Sequence, residues 1–456
     1  MAERAAVQGI GWFGDARRAA AGAFVLERIV ETGSLVIRKV GGDRAGEMMV
    51  HRFLSSPAVQ VSEIVETVAA RTAAACAGRV VVAVQDTTEI NFAGRELARV
   101  GLGPAGDGKS LGFFVHPVLA VDAADEALLG VVDLQIWSRS PGPKPAPRRQ
   151  RGLAEKESQR WLTAAQVTAE RLAGAARVVM VGDRENDIYG FFAQRPNALD
   201  LVVRVAQDRA LVDGERLFAA AAGWPELGRA QVKVAPRGPG DRGRIAEVAL
   251  RAGPVTVRRP RNGYDPADPP ALGLSLVEVR EVGEPAAGKP LLWRLFTTLP
   301  VTDLAAVEQI VQFYRLRWRI EQTFRALKSD GLALEDAQLH ERERLFKLAT
   351  IALVAAARTI QLVDARDGSS RPATDVLDPA LIEVADAIGK TKEGRTARQQ
   401  NPHPKGSLAW LAWIIARLGG WNCYYKPPGP KTMRSGWNQF AAMAAGYLIA
   451  KHGEDL

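Results

Sequence analysis

Two short apolar runs that each stop at an aspartate most constrain how this chain folds. Val80-Val81-Val82-Ala83-Val84-Gln85-Asp86 is β-branched and uninterrupted. Arg177-Val178-Val179-Met180-Val181-Gly182-Asp183 repeats the design 97 positions later. Uninterrupted apolar runs of this length suit strands buried on both faces, which belong to sheets covered by helices. In open α/β sheets, chemistry collects beyond the ends of such strands. Either aspartate alone reads as a cap or turn residue after a strand.

A third acid changes that reading. Across Phe313–Lys328 a helix of 3.6 residues per turn gathers Phe313, Leu316, Ile320, Phe324 and Leu327 on one core face. Tyr314, Arg317, Glu321, Arg325 and Lys328 form the neighbouring stripe. By itself the stripe also reads as a solvated face carrying a Glu321/Arg325 pair at i,i+4. Together with two strand-end aspartates it reads as one carboxylate among cations, suited to metal ions beside a phosphodiester. Asp86, Asp183 and Glu321 are the candidate ligands of two divalent ions. Hard oxygen donors suit Mg²⁺, with Mn²⁺ as a substitute.

Net charge is +9 in 456 residues, which points to an anionic polymer partner. An apolar fraction of 47% is ample for packed cores, and the length suggests roughly three domains. Cys76 and Cys423 are the two cysteines and form no C-x-x-C pair, so neither a disulfide framework nor a zinc finger is expected. His51, His116, His340, His403 and His452 form no ligand pattern. The start, Met1-Ala2-Glu3-Arg4, lacks an apolar signal core. The apolar segment Leu348–Ala357, ended by Lys347 and Arg358, is too short to span a bilayer and reads as a buried helix. No membrane partner is expected, and thiol usage points to the cytoplasm.

Residues 1–65 read as helical. Ala16–Glu31 is periodic, with Phe24, Leu26, Ile29 and Val30 as core candidates, and Arg17 and Arg18 as candidate DNA contacts. Residues 66–365 read as a mixed-sheet α/β domain. Phe113–Val121 and Leu128–Trp137 form a hairpin, followed by a loop with Arg139, Lys144, Arg148, Arg149 and Arg151. A helix over Glu155–Arg171 leads to the second aspartate strand. Residues 205–292 read as a β-rich insertion holding Arg237, Arg242, Arg244, Arg251, Arg258, Arg259 and Arg261, entered just after Arg204 and left at Trp293. Residues 366–456 read as mainly helical. Lys390, Lys392, Arg395, Arg398 and Lys405 form a basic tract there. Trp437, Phe440, Ala444 and Tyr447 form a stripe that is either core or a partner-helix surface.

Several of these motifs resemble, in order, those of bacterial DDE transposases of the IS-four group, with the Tn-five transposase type closest. Asp86-Thr87-Thr88 is similar to the first-aspartate motif, and Asp183-Arg184-Glu185-Asn186-Asp187-Ile188-Tyr189 to the second. Tyr314, Arg317, Glu321 and Lys328 carry the group's Y-(2)-R-(3)-E-(6)-K spacing. Glu155-Lys156-Glu157-Ser158 with Trp161 resembles a segment between the aspartates. Gly406–Trp410 and Ala416–Gly420 resemble the C-terminal domain. Gly14-Asp15-Ala16-Arg17-Arg18 resembles the N-terminal segment, with Ala16 where the group usually has proline.

The resemblance implies an RNase H-like core between a DNA-binding N-terminal domain and a C-terminal DNA-contact and dimerisation domain. It implies binding of terminal inverted repeats, metal-dependent end cleavage through a hairpin intermediate, and joining of 3′-OH ends to target DNA by a homodimer. Tyr314, Arg317, Arg325 and Lys328 would hold phosphates, Arg204 would add a DNA contact, and Trp293 would stack a flipped base. The protein would be cytoplasmic and nucleoid-associated. Two other functions compete: a metal-dependent nuclease without strand transfer, and a catalytically silent DNA-binding inhibitor. A two-carboxylate glycosidase leaves the basic excess unexplained.

Overall fold

The computed structural model describes residues 9–92, 99–106, 108, 110–140, 151, 153–234, 243–262, 264–285, 289–328, 331–369, 371–377 and 379–453, apart from the side chains at 233, 445 and 448–453. Helices α1 (Ala16–Thr32), α2 (Ile37–Gly41), α3 (Arg44–Ser55) and α4 (Val61–Cys76) precede strands β1 (Val80–Gln85), β2 (Thr88–Asn91), β3 (Gly103–Pro104), β4 (Leu111–Asp122) and β5 (Leu128–Trp137). Then come α5 (Gln159–Arg171), β6 (Arg177–Gly182), α6 (Tyr189–Gln194), β7 (Leu199–Arg204), α7 (Leu217–Ala222), β8 (Gly228–Val234), β9 (Arg244–Arg258), β10 (Ala271–Glu281) and β11 (Leu292–Thr297). Helices α8 (Leu304–Leu316), α9 (Trp318–Leu327), α10 (Arg342–Ala365), α11 (Ile382–Lys392), α12 (Leu408–Leu418) and α13 (Pro430–Gly453) complete the chain. The chain divides into two compact units, one of Met1–Ala75, Thr87–Pro141 and Arg319–Leu456, the other of Cys76–Asp86 and Gly142–Trp318.

In the second unit β1, β6 and β7 run parallel. Strand β11 joins β7 antiparallel, and β10, β9 and β8 continue the sheet as antiparallel neighbours. In β1 and β6 every residue after the first is buried, as uninterrupted apolar strands require. Helix α5 packs on β1, and α8 packs on β1, β6, β7 and β10. The β-rich stretch is thus an extension of the strand-end sheet rather than a sheet of its own.

In the first unit β4 and β5 form the expected hairpin, with β2 and β3 on β4. A Cβ on Gly130 of β5 would lie 2.3 Å from Thr72 Oγ1, so only glycine permits α4 to approach the strand this closely. Helix α10 packs against β5, α1, α3, α12 and α13. It runs well past the expected segment, because neither Lys347 nor Arg358 ends it. Lys347 is buried and donates to the carbonyls of Leu54 (3.1 Å) and Ser56 (2.7 Å) at the end of α3. By length and composition α10 is apolar enough to cross a membrane, but 89% of that span is buried in its own unit, which marks a core helix.

The N-terminal helix starts where expected, capped by Asp15, which accepts from the Arg17 amide. Leu26, Ile29 and Val30 are core, whereas Phe24 is half-exposed and Val25 takes the buried position. In α13, Trp437, Phe440 and Ala444 are buried within the unit, and Tyr447 is exposed. Most of that stripe is intramolecular core.

Candidate active site

The register of β1 on β6 builds the site. Val80 pairs with Arg177 and Val84 with Val181, an offset of 97 throughout. Asp86 and Asp183 are separated by the same offset, so each leaves the sheet just beyond equivalent ends of neighbouring parallel strands. Neighbouring strands lie about 4.8 Å apart. Gly182 makes the exit of β6 possible, since a Cβ there would lie 2.4 Å from the Asn186 side-chain amide. The Asp183 carboxylate caps the single helical turn that follows, accepting from the Glu185 amide at 2.8 Å.

Asp86 accepts from Arg317 Nη1 at 3.0 Å, with both side chains mostly buried. A second guanidinium faces the pair. Arg160, on α5, bonds the Glu185 carboxylate at 2.9 Å. Burial lowers its pKa, while Glu185, Glu157, Asp86 and Asp183 pull it back up. Two aspartates at paired strand ends therefore sit in the field of Arg317 and Arg160. Arg160 lies between Ser158 and Trp161 of the family-like segment, and the sequence pattern assigns it no role. Its signal was position, directly before Trp161, whose ring is fully buried and anchors α5.

The rest of the second-aspartate motif is structural. Asp187 is buried and accepts from Arg209 Nε (3.0 Å) and from the amides of Ala206 (2.8 Å) and Gln207 (3.0 Å). Tyr189 donates its hydroxyl to Pro269 O at 2.7 Å. Together they tie the turn after β6 to the chain beyond β7.

Tyr314 lies on α8 and is 4% exposed. Its ring meets Trp293 of β11 edge-to-face, centroids 5.1 Å apart, and its hydroxyl interacts with the Arg204 side chain at the end of β7. Burial raises the Tyr314 pKa, with Arg317 and Arg204 opposing. Burial lowers that of Arg204, with Tyr314 opposing. Trp293 is half-buried. These four residues form one connected wall in the second unit.

The expected single helix over 313–328 is two helices. Arg317 keeps helical angles (φ −51°, ψ −30°), but its amide reaches back only three residues, to Tyr314 O at 3.1 Å. That tightened turn ends α8 and begins α9. Glu321 lies in the first turn of α9 and is half-buried. Lys328 donates to Glu89 O at 2.7 Å and pairs with Glu335 at 3.1 Å. Arg325 is exposed and lines a cavity of about 400 Å³ with Arg319, Gln322, Asp364 and Arg366. Arg17 is exposed, and Arg18 bonds Phe13 O and pairs with Asp15 at 3.8 Å.

Several cations of the basic clusters seen in the sequence are paired with acids. Arg244 is held by both oxygens of Glu281, Lys390 by Asp386, and Lys405 by Glu383 and Asp386. Lys144, Arg148, Arg149, Arg237 and Arg242 lie outside the described residues.

A pair of aspartates flanked by guanidiniums is chemically suited to phosphoryl transfer. Residues 152–358 match the family model of the transposase DDE domain. The match includes Asp183 and Glu321, while Asp86 precedes it. DDE transposases cleave and transfer phosphodiesters with divalent metal ions, and the matched residues mark this protein as an enzyme of that activity. The domain implies an RNase H-like fold, consistent with the mixed sheet and its flanking helices. Among the described residues, no group of three or more His, Cys, Asp and Glu side chains is already gathered as a ligand set. Asp86 and Asp183 nonetheless fit a magnesium ion. They offer hard carboxylate oxygens at neighbouring strand ends, and Mg²⁺ usually takes one or two carboxylates, with water and phosphate oxygens completing its shell.

Proposed function

We propose that the protein binds the terminal inverted repeats of a transposon, cleaves the ends and joins the 3′-OH termini to target DNA. In its motifs it is most like the IS-four group and the Tn-five type. The observation that carries this is the register-matched pair Asp86 and Asp183, with Arg317 bonded to Asp86 four residues before Glu321.

In this proposal Asp86, Asp183 and Glu321 are the ligands of two Mg²⁺ ions, which Mn²⁺ can replace. Bound there, such ions activate the attacking oxygen and neutralise charge on the leaving one. Arg317 orients the Asp86 carboxylate and grips a phosphate oxygen through its remaining donors; a guanidinium has five. Lys328 and Arg325 add point charge along the backbone, and Arg17, Arg18 and Arg204 extend the contact. Trp293 offers a half-buried ring on which an extrahelical base stacks while a hairpin end closes. Residues 1–65 serve DNA binding, and 366–456 DNA contact and pairing of two copies. For pairing, the exposed Tyr447 and Met443 of α13 are the available apolar groups, since Trp437 and Phe440 are spent in the core. A bacterial transposase of this kind works in the cytoplasm, on the nucleoid.

Asp183→Ala tests the assignment. A gel shift with terminal-repeat DNA should survive and nicking should vanish. Near-normal nicking would remove Asp183 from the ligand set. Failure of strand transfer by a nicking-competent wild type would leave a nuclease instead.

A further inference from the structure

On the β-rich strands of the second unit, one place gathers three arginines around a single acid. Elsewhere on and beside these strands, several arginines have carboxylate or carbonyl partners of their own. Arg229 faces both Glu226 and Glu247. Arg244 is gripped by Glu281. Arg258 and Arg259 donate to the backbone carbonyls of Val212 and Asp268.

At Glu278 the ratio inverts. This carboxylate, fully buried in β10, receives Arg294 at 2.7 Å, Arg280 at 3.1 Å and Arg251 at 3.4 Å. Strand register brings them together. Glu278 pairs with Arg251 of β9 and with Arg294 of β11, and Arg280 lies two residues along β10, on the same face. Contacts with Arg280 and Arg294 hold the Glu278 pKa low against the opposing effect of burial, so the carboxylate stays ionised. The Arg294 guanidinium lies over the Phe218 ring, 3.9 Å from its centroid, which fixes its plane.

One carboxylate has two oxygens, whereas three guanidiniums carry five donors each. Glu278 can organise the arginines but cannot use up their donors or their charge. The side chain of Arg280 is 44% exposed, that of Arg251 25% and that of Arg294 15%, so the surplus faces solvent. Guanidiniums held in fixed orientation match the oxygens of a phosphodiester better than free lysines do.

We propose that Arg251, Arg280 and Arg294, fanned by Glu278, form a binding site for the phosphodiester backbone of duplex DNA. The site reads no bases and holds no metal ligand. It rests on the reading that this protein acts on DNA.

The test uses the full chain and a short random-sequence duplex that lacks transposon ends, with affinity measured across a salt series. Arg280→Gln is the main variant, since this side chain is the most exposed of the three. It should weaken binding several-fold and make the slope of log K against log salt shallower by about 0.9, the loss of one phosphate contact. Arg280→Lys should restore most of the slope. Arg229→Gln is the control, because its charge is already balanced, and it should change neither quantity. An unchanged slope in a folded Arg280→Gln protein overturns the site. So does an equal change in Arg229→Gln, which would reduce the effect to net charge. A wild type with no salt-dependent affinity for duplex overturns the DNA reading itself, and is thereby distinct from failure of this site alone.

Discussion

Tyr314→Phe separates two roles that the sequence pattern merged. In the stripe with Arg317 and Glu321, the tyrosine reads as a phosphate contact. In the folded chain its side chain is 4% exposed, and the hydroxyl interacts with the half-buried Arg204. Phenylalanine keeps the ring and its edge-to-face contact with Trp293. It removes only the oxygen. Arg204 then keeps the Leu292 carbonyl at 3.2 Å, and the donor that faced the hydroxyl loses its acceptor. A hydrogen bond to a charged group contributes about 1.5–3 kcal/mol. For a domain of 150–250 residues, 1 kcal/mol moves Tm by about 2–4 °C. Tyr314→Phe should therefore lower Tm by roughly 3–12 °C in differential scanning calorimetry, with DNA affinity near wild type below the transition. The opposite pattern, an unchanged Tm with weakened binding of end DNA, would refute the buried-bond account. It would make the hydroxyl a phosphate ligand.

Other outcomes follow from the same geometry. Arg160→Ala should slow nicking at least tenfold, about 1.4 kcal/mol in the barrier, and weaken DNA binding less; equal nicking rates would show that its field at the aspartates is immaterial. Lys347→Met should cost about 1–3 kcal/mol, because two carbonyls at the end of α3 lose their buried donor; an unshifted denaturation midpoint would contradict that. Asp364 is buried, and its pKa is raised from 3.8 to about 6 chiefly by desolvation, against the pull of Arg319. The native state then holds this proton more tightly than the unfolded chain, so the group's contribution is most favourable below about pH 4 and is lost as pH rises to about 6. Asp364→Asn cannot titrate, so its Tm relative to wild type should climb between those pH values and level off above them. Parallel pH profiles for the two proteins would sink this assignment.

Strands β1 and β6 were legible because burial on both faces demands an unbroken apolar run, and such runs are rare enough to stand out. The acids that end them came with the same signal. What decides their surroundings was hidden. Arg160 reaches Glu185, and Arg209 reaches Asp187, across separations of about two dozen residues, which no periodicity announces. The break at Arg317 lacks glycine or proline to mark it. The arginines of 205–292 read as a uniform basic cluster, yet among the described residues Arg229 and Arg244 have acids of their own while strand register sets Arg251 and Arg280, with Arg294, around the single Glu278. The stripe on α13 left core and surface both open, and packing against α1 and α10 resolved it toward core through Ala444.

The interleaving of the two units carries a consequence for how the protein comes off the ribosome. Helix α1 packs on α10 and α13, whose residues are made some three to four hundred codons later. The second unit, apart from the short segment bearing β1, is one continuous stretch that ends at Trp318. It is finished while the last third of the chain is still inside or unmade. The amino-terminal helices meanwhile have one another but lack the cover of α10 and α13. An amino-terminal fragment ending near the middle of the chain can therefore never cover those helices as the whole protein does, however well its strands pair.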